Sequence, residues 1–165
     1  MKKIVTGLIA ASLLLCLNEL QAQNTTDSLD QLKLMQKYLV GTWQSVTSSD
    51  TIYGFDLVQY GNAFEETDYT KLNGKKSIDS FWSYSYKPER DNFCIFAAYV
   101  KGGYDTFIGS FTAENKYIQK NVDKFNPDKV LFTVEFVFDN PTNFTVTGFN
   151  ADGVKTFEAK ATKVK

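Results

Sequence analysis

Histidine is absent from all 165 residues. Without it there is no Ser-His-Asp or Cys-His nucleophile, no His-ligated zinc and no His-held haem. Arginine occurs once, as Arg90, and cysteine twice, as Cys16 and Cys94. Acidic and basic side chains nearly balance, 19 against 18, with no basic run or stripe. A nucleic acid would therefore find no electrostatic footprint to bind. Long apolar runs are also missing, except for one near the start.

That run, residues 4–17, follows Lys2 and Lys3 and is too short and too early for a comfortable membrane span. Leu20-Gln21-Ala22 then offers a cleavage site ending in a small residue. Residues 1–22 read as a secretory signal peptide, which makes the protein exported, either periplasmic or secreted. Residues 23–165 are then one domain with no transmembrane span. Losing Lys2, Lys3 and Glu19 takes the 18 basic and 19 acidic side chains to 16 and 18, a charge of −2. A rival route is a lipid anchor on Cys16. The residue before an anchored Cys is normally small, and here it is the bulky Leu15, so Cys16 reads better as one more apolar residue of the run.

The processed chain keeps one thiol, Cys94, and so has no internal disulfide. Its stability must come from its core. Aromatic residues make up 15% of the sequence, and each buried ring removes a large apolar area from water. About 140 residues suffice to bury most of them. Cys94 itself reads as a small buried hydrophobe, since no base lies near it in sequence.

Thr26, Asp27 or Ser28 offers a helix cap, and Leu29, Leu32, Met35 and Leu39 follow at helical spacing. From Thr42 onward the period changes to two. Segments 42–48, 52–60, 63–72, 78–87, 93–100, 104–112, 116–122, 130–138, 144–149 and 154–163 read as strands. Asn73-Gly74 and Asp152-Gly153 mark tight hairpins, and Pro88, Pro127 and Pro141 fall in turns. Segment 93–100 is apolar on both faces, which predicts a central strand or one beneath the helix. Gly109 suits a bend or a close backbone approach. The expectation is an all-β fold. It is a single antiparallel up-and-down barrel of 8–10 strands with one short N-terminal helix, because closure removes the exposed edges of so large a sheet.

Three motifs in order carry a family resemblance. They are Leu39-Val40-Gly41-Thr42-Trp43 after the helix, Tyr86-Lys87-Pro88-Glu89-Arg90-Asp91-Asn92-Phe93 in mid-chain, and Asp152-Gly153 near the end. Over residues 29–163 the chain resembles the calycin superfamily of lipocalins, fatty-acid-binding proteins and their relatives. Within it, the likeness is to uncharacterised bacterial lipocalin-like secreted proteins. The resemblance implies that Trp43 plugs the closed end of the barrel. A late Arg usually packs over that Trp in lipocalins; here Lys160 or Lys163 would have to substitute, a departure that argues for an outlying relative. The haem-binding nitrobindin group also resembles this chain, but it holds iron through His, so that function does not carry over.

Candidate ligand contacts are Tyr53, Phe55, Trp82, Tyr84, Tyr86, Phe107, Phe132 and Phe136, set against simple core packing for each. Arg90 is a candidate clamp for an anion at the barrel mouth, against a solvated or locally paired turn residue. Glu65, Glu66 and Asp68 read as a solvated strand face. Glu65 and Glu66 point to opposite sides, whereas Glu66 and Asp68 share one, which leaves a metal or acid–base role open. No cofactor and no metal is expected. The leading reading is a small hydrophobic or amphipathic ligand held in the barrel. Its rival is a non-enzymatic interaction module with a filled barrel. An enzyme is a distant third, and would require two carboxylates converging inside a pocket.

Overall fold

A computed structural model describes residues 29–165, so the segment read as an export signal and Cys16 lie outside the described residues. The described residues open with one helix, α1 (Gln31–Tyr38). Ten strands follow: β1 (Gly41–Val46), β2 (Thr51–Tyr60), β3 (Ala63–Leu72), β4 (Lys75–Lys87), β5 (Asn92–Tyr99), β6 (Tyr104–Ala113), β7 (Lys116–Val122), β8 (Val130–Asn140), β9 (Asn143–Asn150) and β10 (Lys155–Lys163). Each pairs antiparallel with its chain neighbours, and β1 pairs with β10, closing the barrel. No described helix is long and apolar enough to cross a membrane.

Up-and-down order puts the turns alternately at two ends. One end is covered by α1. Its cap is Asp30, whose carboxylate accepts from the Lys33 amide at 3.0 Å; the caps expected from sequence, Thr26, Asp27 and Ser28, lie outside the described residues. Leu34, Met35 and Tyr38 form the buried face of the helix. Gln31 is buried with them: its amide donates to Phe111 O at 3.0 Å and its carbonyl accepts from Phe111 N at 2.7 Å. One side chain thus satisfies two main-chain groups of β6 that would otherwise be buried without a partner.

The opposite end carries five turns. At Asn73-Gly74 both residues take positive φ, 50° and 78°, as the hairpin signal requires. Each of these turns presents one exposed apolar side chain: Val46, Leu72, Val100, Phe125 and Val154.

Closure rests on few pairs, Trp43↔Lys163 and Gln44↔Thr162. Two further main-chain bonds lock the same end, Thr42 N to Lys165 O and Val164 N to Thr42 O, each 2.8 Å. Gly41 makes this fit possible. Its φ is +133°, and a Cβ there would sit 2.5 Å from Lys165 O. Above Gln44 the two strands are not paired, so the seam is looser toward the uncovered end.

Strand β5 departs from the sequence expectation. Phe93, Ile95 and Ala97 point inward and are buried, but Phe96 is 44% exposed and lies against Tyr104 on the outer surface. Its outer apolar face is covered by cross-strand rings and not by the helix. Cys94, on that same face, is half-buried and does not join the core.

Candidate functional site

Large rings crowd the helix-covered half of the barrel. Trp43 is fully buried, with its ring 4.7 Å from that of Phe144, and its indole N–H donates to Leu39 O at 2.9 Å. Tyr38 packs tilted against Phe138 at 4.7 Å, and Phe111 against Tyr117 at 5.0 Å. Lys163 lies over Trp43 with Nζ 5.4 Å from the ring, the position an Arg holds in lipocalins, and burial pulls its amine below the ordinary lysine range.

Above this floor the wall side chains become smaller, Val134, Val146 and Ala161, and the interior is hollow. The cavity holds about 390 Å³. The aromatic walls are Phe55, Trp82, Tyr84, Phe107 and Phe136, all expected from the sequence as ligand contacts. Tyr53 also lines it, at the uncovered end, where it is 51% exposed beside Phe157 at 43%. These two rings flank the unpaired upper part of the β1–β10 seam.

Three expected contacts lie elsewhere. Tyr86 sits at the helix-covered end, its ring 5.4 Å from Phe93 and its hydroxyl donating to Asp91 at 2.8 Å. Phe132 stacks on Phe157, outside the lining, at 6.2 Å. Arg90 closes a 3₁₀ turn (Pro88–Arg90), also at the helix-covered end, where it is exposed. It is not at the mouth. Pro88 starts that turn and Asp91 ends it in the left-handed conformation.

The polar part of the cavity comes from the strand read as a solvated face. Glu65 is exposed, but Glu66 and Asp68 point inward. A register shift between β3 and β4 leaves Asp79 unpaired opposite Asp68 and Tyr69, and Asp79 also borders the cavity. Asp68 accepts from Ser80 Oγ and from Trp82 Nε1, each at 2.7 Å. Glu66 accepts from the Tyr84 hydroxyl at 2.8 Å. The two carboxyl groups also hydrogen-bond each other.

Burial, and then the charge of Asp68, push the Glu66 carboxyl well above the usual range. Burial raises Asp68 too, while hydrogen bonds from Glu66, Ser80 and Trp82 oppose the rise. Glu66 is thus the member that keeps a proton. Burial, the Glu66 charge and its hydrogen bond likewise hold the Tyr84 phenol protonated.

Facing this pair from β7 are two residues that sequence reasoning missed, Tyr117 and Gln119. They are 1% and 4% exposed and both line the cavity. The Tyr117 hydroxyl and the Gln119 side-chain amide nitrogen have no hydrogen-bond partner in the protein. Gly109 gives Tyr117 its room, because a Cβ there would overlap the Tyr117 hydroxyl. Gly109 therefore serves a close approach. The available signal was alternation: Tyr117, Gln119 and Asn121 share one face of β7, and Phe64, Glu66 and Asp68 share one face of β3.

No group of three His, Cys, Asp or Glu side chains among the described residues is arranged to hold a metal ion. No protein-family model matches the chain, and no curated protein matches it. The barrel stands on its own geometry, a closed ten-strand antiparallel fold compatible with the calycin architecture.

Proposed function

We propose that this protein is an exported, lipocalin-like binding protein that holds one small amphipathic molecule inside the barrel. The observation that carries the reading is the cavity itself. It is about 390 Å³, walled by aromatic and aliphatic side chains, with a few polar groups converging at one place. Small-molecule sites have this composition: an apolar body that supplies affinity and a small polar set that fixes orientation. The filled-barrel alternative fits poorly with a hollow of this size. Export and calycin kinship belong to the proposal through residues 1–22 and the Gly41-Thr42-Trp43 opening.

One observation favours a second, catalytic reading. Glu66 and Asp68 converge in a pocket where burial raises both carboxyls, the setting in which a carboxyl pair can give and take protons. A non-catalytic binder is the simpler account, because the same pair also serves as a polar anchor.

The test is titration with N-phenyl-1-naphthylamine, a neutral apolar fluorophore that brightens away from water. Saturable enhancement at one probe per barrel is expected, with quenching of Trp82 emission at the wall. Weakening by Val134→Trp, which projects an indole into the hollow, would locate the probe. Absence of enhancement from a barrel shown folded by circular dichroism would overturn the binding reading.

A further inference from the structure

The cavity is charged on one side only. Glu66, Asp68 and Asp79 border it, and among the described residues no Lys or Arg does. Two of these carboxyls sit among rings, and apart from the bond between them they accept only from neutral donors, Tyr84, Ser80 and Trp82. A buried carboxylate without a cation is costly, and a mobile cation that enters the site relieves that cost.

Of the two unpartnered cavity groups, Tyr117 points the same way. Tyr117 Oη, almost completely buried, lies within electrostatic reach of Glu66 and has a free lone pair for an N–H donor. Two residues along the same face, the Gln119 amide nitrogen lacks an acceptor, which an oxygen on the ligand would supply. Trp82, Phe107 and Phe136 line the same space, and an aromatic ring can receive a cation on its face.

We propose that the ligand is a protonated amphipathic amine, with its ammonium on Glu66 and Asp68 and its apolar body between Trp82, Phe107 and Phe136. The arrangement selects against fatty-acid anions. This inference rests on the cavity being the ligand site, and deepens that reading by naming the ligand class.

Displacement of N-phenyl-1-naphthylamine by three ten-carbon probes tests it: decylamine, 1-decanol and decanoate at neutral pH. Decylamine should displace about ten-fold or more better than 1-decanol, and decanoate worst of the three. In Glu66→Gln and Asp68→Asn the amine-to-alcohol ratio should fall, and in the double variant approach one. Either single variant suffices if the double variant does not fold. Equal displacement by decylamine and 1-decanol, tightest displacement by decanoate, or a ratio unchanged by all variants would overturn the amine assignment alone. Failure of the fluorophore itself to bind would overturn the binding reading, and this inference with it.

Discussion

Trp43→Ala should destabilise the barrel by about 3–5 kcal/mol, the range for deleting a fully buried large ring. Trp43 has no exposed surface and packs against Phe55, Phe138 and Phe144. Truncation opens a void among rings that cannot collapse, because β1 is pinned on both sides by β2 and β10. It also strips Leu39 O of its indole donor, and with that the tie between the end of α1 and the first strand. Domains of this size are stable by roughly 5–15 kcal/mol in all, so the variant should sit near its unfolding threshold at room temperature. Trp43→Phe separates the contributions: it refills most of the void and leaves only the unpaired carbonyl, about 1–3 kcal/mol. Trp82→Phe is the contrast, since one side of that ring already faces the hollow and its removal opens less new void. Urea unfolding followed by circular dichroism reads all three. A loss below about 1 kcal/mol for Trp43→Ala would show that the ring does not hold the closed end.

Glu66→Gln should make the ligand-free barrel more stable in mildly alkaline solution and flatten its pH dependence. Burial and the neighbouring Asp68 hold the Glu66 carboxyl well above its ordinary value. The folded state therefore binds this proton more tightly than the unfolded chain. Stability from that difference is fully present below the ordinary carboxylate range and is lost as pH rises through the elevated value. Asp68 is raised as well and acts with the same sign. Glutamine imitates the protonated acid: its carbonyl still accepts from Tyr84, and its NH₂ still donates to Asp68. Wild type and variant should be equally stable near pH 4.5, the ordinary glutamate value. By about pH 8.5 the variant should lead by about 1–3 kcal/mol, the scale of an unsatisfied buried polar group. Melting temperatures across that range decide the matter. The raised phenols of Tyr84, Tyr99 and Tyr117 titrate above it and do not contribute. Parallel pH profiles for the two proteins would contradict a proton held inside the cavity.

Most of the fold is written in period-two alternation and in the turns. Phe132, Val134, Phe136 and Phe138 announce the inward face of β8 without ambiguity, and Asn73-Gly74 fixes a hairpin by its φ requirement alone. The helix-to-Trp43 opening is equally readable, because Gly41 is the only residue type that fits beneath Lys165 O. The interior chemistry was harder to read for a physical reason. In β3 both faces are polar, so alternation says that Glu66 and Asp68 share a side but not which side is inside. Phe64, fully buried two residues earlier, is the side chain that decides it. The hollow was also illegible. Ring count leaves a hollow and a filled interior both open; the rings concentrate at the helix-covered end, and that unequal distribution depends on register across ten strands. Arg90 misled because a lone arginine suggests an anion clamp, whereas its turn lies at the end away from the mouth.

Native mass spectrometry of the protein purified from its native host, paired with its denaturing mass, tests the central claim most directly. The account predicts a native mass exceeding the denatured mass by one small molecule, released on unfolding and carrying a basic nitrogen. A native mass equal to that of the bare chain, from a barrel that also takes up no added probe, would contradict a ligand-binding cavity.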